Sequence, residues 1–260
     1  MSSNRRFIVY SLVLIVAVLG VLLYVRQPSP HDAMFNALKL DDAEGVTRAI
    51  KQGADPNARW PNGFPALIGT LLASREKAAV ALIENGADVK VRGPDGGAAI
   101  LAASLRGLPK AIDKLLAVGA DIEVELPDGR SSLWIAVSNN DHETSKFLLT
   151  KGANPNHLNK FGWTPVFHAA QNGDIDLLEE LHKAGANLNL GGQGQTPLIV
   201  AVANSRMDAA EWLLKKRTNV NAATDIGLTA WTQACITHDE EMKRLLKSYG
   251  ARVDRCAQIK

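Results

Sequence analysis

Apolar residues are distributed along this chain in two regimes. Phe7 to Val25 reads FIVYSLVLIVAVLGVLLYV, an unbroken run of 19 residues without a charge. At about 1.5 Å rise per residue, a helix of that length matches the roughly 30 Å hydrocarbon core of a bilayer. From Asp32 onward the apolar residues recur at helical spacing in short stretches, each closed by a glycine. The pattern predicts one membrane-spanning helix followed by a tandem series of short helices.

The series has a fixed period. Gly-Ala-Asp/Asn recurs at Gly53, Gly86, Gly119, Gly152 and Gly185, 33 residues apart, and the phase continues through Arg217-Thr218-Asn219 to Gly250-Ala251-Arg252. A glycine at the end of a helix suits the left-handed residue that satisfies the last carbonyls. A second glycine follows each first one, at Gly63, Gly96, Gly129, Gly162, Gly194 and Gly227, and precedes a helix start. Thr164-Pro165-Val166, Thr196-Pro197-Leu198, Ser131-Ser132-Leu133 and Thr229-Ala230-Trp231 supply a capping hydroxyl, and two of them add a proline at the first helical position.

The 33-residue period, the Thr-Pro-Leu type of helix start and the Gly-Ala-Asp helix end resemble the ankyrin repeat, from Asp32 to Asp254. The resemblance implies an all-α ankyrin-repeat solenoid of helix-loop-helix units with projecting β-hairpin loops, here behind one N-terminal transmembrane helix. The family's usual His after Thr-Pro-Leu is replaced by Ile68, Leu101, Trp134, Phe167, Ile199 and Thr232. The fifth repeat is one residue short in its hairpin and carries Arg217 where the pattern has glycine. Trp134, Phe167 and Trp231 fall at or beside positions that pack between repeats and are expected in the core.

The expected organisation is a short cytoplasmic N-terminus (1–6), a transmembrane helix (7–25, with Phe7, Leu14 and Val25 in the anchor), a linker (26–31), the repeat domain (32–254, a capping helix pair plus six repeats) and a tail (255–260). A cleaved signal peptide is the competing reading of the apolar run. Its apolar core is usually about 7–15 residues with a small-x-small cleavage site, whereas this run continues to Val25, which favours a retained anchor. Arg5 and Arg6 precede the run and Arg26 alone follows. The positive-inside bias places the N-terminus in the cytoplasm and the repeats across the membrane, and the absence of an Asn-x-Ser/Thr sequon suits a bacterial periplasm. Lys243 and Lys247 give the last helix a polar outer face, as a terminal unit requires.

Composition narrows the function. The apolar content is 46% with only 5% aromatic, which suits close-packed helices. Arg5, Arg6 and Arg26 account for three of the 29 Lys+Arg, so the rest of the chain is balanced against its 27 Asp+Glu. No basic stripe for nucleic acid is visible. The six histidines show no metal-ligand spacing, and Gly191-Gly192-Gln193-Gly194 lacks the flanks of a phosphate loop. Asp41-Asp42 and Glu240-Glu241 sit near helix starts, where acids complement the helix dipole. No catalytic residue, metal, cofactor or small-molecule substrate is expected. Cys235 and Cys256 are the only cysteines, and the sequence is compatible with a single bridge or with none.

The resemblance places partner contacts on the hairpin tips and the inner-helix face. The candidates are Arg59, Trp60, Asn62 and Phe64 in repeat one, Leu126 and Arg130 in repeat three, and Lys160, Phe161 and Trp163 in repeat four. Arg106, Asn139 and Asn172 are the candidates on the inner helices. For Phe161, Trp163 and Trp60 the competing reading is packing against neighbouring residues. The expected function is a membrane-tethered module binding a periplasmic protein, as an inhibitor or immunity factor or as a scaffold. The alternative is a cytoplasm-facing adaptor in signalling or host interaction.

Overall fold

The computed structural model describes residues 28–253. The apolar run 7–25, Arg5 and Arg6 and the tail 255–260 lie outside the described residues. Among the described residues, no helix is long and apolar enough to cross a membrane.

Among the described residues, fourteen α-helices follow one another in pairs. The first pair is α1 (Pro30–Leu40) and α2 (Ala43–Lys51). Six more follow: α3 (Ala66–Leu72) with α4 (Glu76–Glu84), α5 (Ala99–Leu105) with α6 (Pro109–Ala117), α7 (Ser132–Ser138) with α8 (His142–Thr150), α9 (Pro165–Asn172) with α10 (Ile175–Lys183), α11 (Pro197–Ala203) with α12 (Met207–Lys215), and α13 (Ala230–Ile236) with α14 (Glu240–Ser248). We call these six repeats one to six.

Local chemistry explains the boundaries. Ser131, Thr164, Thr196 and Thr229 accept a hydrogen bond from the third backbone N–H of the inner helices they open. The outer helices end in a left-handed residue such as Gly86 (φ 87°), which only glycine adopts without a Cβ clash. Arg217 adopts that conformation at φ 64°, and the Thr218 hydroxyl beside it donates to Leu213 O at 3.1 Å.

The core is one continuous stack. Inner helices contribute nearly their whole surface, so Leu133, Ile135, Val166, Phe167, Leu198, Ile199 and Val202 are all buried. Trp134 and Trp231 are each only 7% exposed, as their repeat positions predict. Five of the hairpins reach the next unit through side-chain acceptors: Asn57 Oδ1 takes the Asp88 N–H, Glu123 Oε1 that of Asn154, Asn156 Oδ1 that of Asn187, Asn189 Oδ1 that of Asn219 and Asn221 Oδ1 that of Arg252. The outer row is less uniform. α2, α4 and α6 lie close along one another, whereas α6, α8, α10 and α12 touch more sparsely.

Candidate protein-binding surface

The hairpin stems in repeats one, two, three and six close through a single antiparallel bridge, such as Arg59 with Pro65 and Glu125 with Ser131. In repeat four a side chain takes over: Asn159 Oδ1 accepts from the backbone N–H groups of Phe161 and Trp163 at 2.9 and 3.0 Å. This turn presses on its neighbour, because a Cβ on Gly162 would lie 2.4 Å from the Gly192 Cα. The hairpins of repeats four and five therefore approach backbone to backbone.

The tip residues divide into two groups. In repeat one the aromatics turn back onto the protein. The Trp60 ring lies over Gly69 and 4.6 Å from Phe35, and its Nε1 donates to Ala66 O at 3.3 Å. Phe64 leans on Gly93 of the next hairpin. Arg59 Nη1 donates to Gly63 O, and Asn62 Oδ1 accepts from the Phe64 N–H. Arg59 and Asn62 remain exposed, while Trp60 and Phe64 are half-buried.

Repeats three and four instead build a ridge. Trp163 stacks on Phe167 at 5.1 Å with an interplanar angle of 3°, and Phe161 lies 5.3 Å from Trp163 on its outer side. Phe161 is 60% exposed. His168 meets the Trp134 ring edge-on at 4.3 Å, and the Arg130 guanidinium lies over that ring at 5.5 Å. Arg130 Nε also pairs with Asp128 at 2.7 Å, and Leu126 is half-buried beside them. Lys160 is exposed, with its backbone N–H donating to Asp128 O of the preceding hairpin. Burial among these rings lowers the His168 pKa from its ordinary value to about 4, so the imidazole is neutral at pH 7. His168 Nε2 and Trp134 Nε1 are buried without a hydrogen-bond partner.

The inner-helix candidates continue from the ridge. Leu105 (45% exposed) and Arg106 face outward at the end of α5. Asn139 donates to Leu105 O at 3.4 Å and Asn172 to Asn140 Oδ1 at 2.8 Å, so both amides also link adjacent repeats. The structure thus brings Leu126, Arg130, Lys160, Phe161 and Trp163 onto neighbouring hairpins, while Arg59 to Phe64 stand two and three repeats away. Sequence reasoning missed the part played by His168 and by the Trp134 edge. The available signal was an aromatic at corresponding positions of two consecutive repeats, Trp134 and Phe167, with a histidine directly after the second. No group of three or more His, Cys, Asp or Glu side chains that could hold a metal ion exists among the described residues.

A tandem stack of helix pairs that displays hairpin tips defines a repeat protein built to present a surface. The family model for ankyrin repeats (3 copies) matches residues 99–191 and, overlapping, 133–224. Residues 99–224 of the chain are thus ankyrin repeats by this match. The NF-kappa-B inhibitor cactus of Drosophila melanogaster is 39% identical over 90 residues, 33% of this chain and 18% of that protein. Rabankyrin-5 of Mus musculus is 33% identical over 99 residues, 30% of this chain and 8% of that protein. The chain therefore spans less than a fifth of the length of these curated relatives. In fold it is similar to the human ASB11 ankyrin repeat domain, with a TM-score of 0.74 at 23% identity over 88% of this chain and 100% of that one. Ankyrin repeats form protein–protein interaction modules, and this array is one.

Proposed function

We propose that the chain is a membrane-tethered ankyrin module that binds a periplasmic protein through the ridge of repeats three and four and inhibits it. The observation that carries this reading is the exposed Phe161, seated against the Trp163–Phe167 stack next to Lys160, with Arg130 on the neighbouring hairpin. A rigid aromatic anchor in a charged rim is what a protein interface buries at its centre. Inhibition, in preference to scaffolding, is supported by the similarity to a protein named as an inhibitor.

The tether rests on residues 7–25, and the side of the membrane on Arg5 and Arg6. Cys235 is disulfide-bonded, which suits an oxidising compartment. A dedicated binder is expected to recover one dominant protein in a crosslinked pull-down from native membranes. A Lys160→Glu, Phe161→Asp variant, altered only at exposed positions, should lose it. Equal recovery by both forms would move the contact off the ridge. A reporter fused after Lys260 that works only in the cytoplasm would reverse the topology.

A further inference from the structure

A second surface lies on the outer helices of the first three units, away from the hairpin tips. α2, α4 and α6 enclose a groove of about 760 Å³. Its floor is apolar, formed by Ala43, Val80 and Ala81, and its rim is charged. Most of the rim's acids are already engaged. Glu76 Oε1 accepts from the backbone N–H groups of Lys110 and Ala111, Glu84 pairs with Lys114 at 2.6 Å, and Asp113 pairs with Lys151 at 2.6 Å. Arg48, Lys51, Lys77 and Lys110 make no ion pair among the described residues, and neither do two of the rim's four acids, Glu44 and the backbone-bonded Glu76. The groove thus carries five cations against four carboxylates around a small apolar floor, and one of those carboxylates, Asp113, is paired with Lys151 outside it.

Its position along the chain matters as much as its charge. His31 Nε2 accepts from the Asp55 N–H at 3.2 Å, directly after α2. The chain preceding α1 therefore joins the fold beside the end of α2 that carries Arg48 and Lys51. With α1 starting at Pro30, residues 26–29 can span at most about 14 Å when fully extended. With residues 7–25 in a bilayer, that end of the groove stays within reach of the headgroups, whose local concentration a free acidic protein would have to exceed.

We infer that the groove seats anionic phospholipid headgroups of the membrane that tethers the chain, an inference that rests on the tethered reading above. Arginine and lysine pair with the phosphates, and the Ala43–Val80–Ala81 floor takes the apolar part next to them. Each basic side chain near an anionic leaflet raises surface partitioning about fivefold. The contact holds the outer helices of the first units against the bilayer, and none of the ridge residues lines the groove.

The test uses the full chain in nanodiscs of phosphatidylcholine, with or without phosphatidylglycerol, and lysine acetylation followed residue by residue by mass spectrometry. Lys51, Lys77 and Lys110 are expected to react severalfold more slowly in the anionic discs, with Lys146 and Lys247 unchanged. The protection should collapse in about 0.5 M salt, where the screening length falls to roughly 4 Å. Equal rates in the two discs would overturn the inference. So would equal protection by soluble glycerol phosphate, which makes the ligand a free anion, or protection appearing only with added membrane proteins, which makes it an acidic protein. Assembly into neutral discs scores the tether separately. If the chain fails to enter them, acetylation on phosphatidylglycerol vesicles decides the groove by the same three rates.

Discussion

The outer helices of repeats one and two and those of repeats three, four and six use the same repeat but begin differently. α4 and α6 begin at Arg75 and Leu108, neither of which caps its helix. Their leading N–H groups are taken from the preceding unit, by Asp41 for Ala78 and by Glu76 for Lys110 and Ala111. α8, α10 and α14 begin at Asp141, Asp174 and Asp239, each capping its own helix, as Asp42 does for α2, while α12 begins at Arg206, which does not cap it. Side-chain size follows the same division. The face of α4 is lined with Ala78, Ala79 and Ala81, which let neighbours approach, whereas the later seams hold bulkier groups such as Phe147 and the Glu179–Trp212–Lys216 cluster. Capping across a seam turns a local hydrogen bond into an interface bond. In a quasi-one-dimensional protein, that raises the nearest-neighbour coupling of the first units relative to the later ones.

Acid is expected to produce the largest separation of the two regions. His168 is held neutral, so between pH 6.5 and about 4 the unfolded chain binds the proton that the folded one refuses. Stability is therefore full above the unfolded pKa, falls as pH drops through that window and levels off below about 4. The loss from this group is about 3 kcal/mol at most, taking about 1.4 kcal/mol per pKa unit. Hydrogen exchange at pH 4.5 should show α9 and its neighbours opening before α3 to α6. His168→Leu should remove that order, and an unchanged pattern in the variant would clear His168 of the role.

A capping pair sharpens the comparison next. Glu76→Ala removes the acceptor of two N–H groups and is expected to cost about 2 kcal/mol, with lost exchange protection in α6, the helix of the following unit. Asp141→Ala should cost about 1 kcal/mol and deprotect α8 itself. If both variants loosen only the helix on which they lie, seam capping does not couple the units. The smallest effect is a gain. Arg217→Gly relieves a left-handed non-glycine residue and should stabilise repeat five by roughly 0.5–1 kcal/mol in urea unfolding, part of the relief being offset by glycine's chain entropy.

The periodic features were legible in the sequence because they are local. The glycine at each helix end and the threonine or serine at each inner helix start act within a few residues of themselves. Trp134, Phe167 and Trp231 were legible as core because the repeat fixes which positions face the next unit. Trp60 was read as a candidate contact, and its ring packs on Phe35 and Gly69, residues of two different helices. The absent side chain of Gly69 makes room for that ring, and nothing in the hairpin itself signals it. Glu76 reads as an ordinary acid in a first helical turn, and its acceptor role for α6 depends on a helix more than 30 residues further on.

The repeat, its phase, the helix ends and the identity of the residues at each tip follow from the chain's local order, since backbone conformation and capping depend on near neighbours. Which tips stay exposed and which helices borrow their caps follow from the packing of the units. Those outcomes depend on how one unit lies against the next. That contact joins side chains about one period apart, and its geometry follows from the sizes of residues on two units at once.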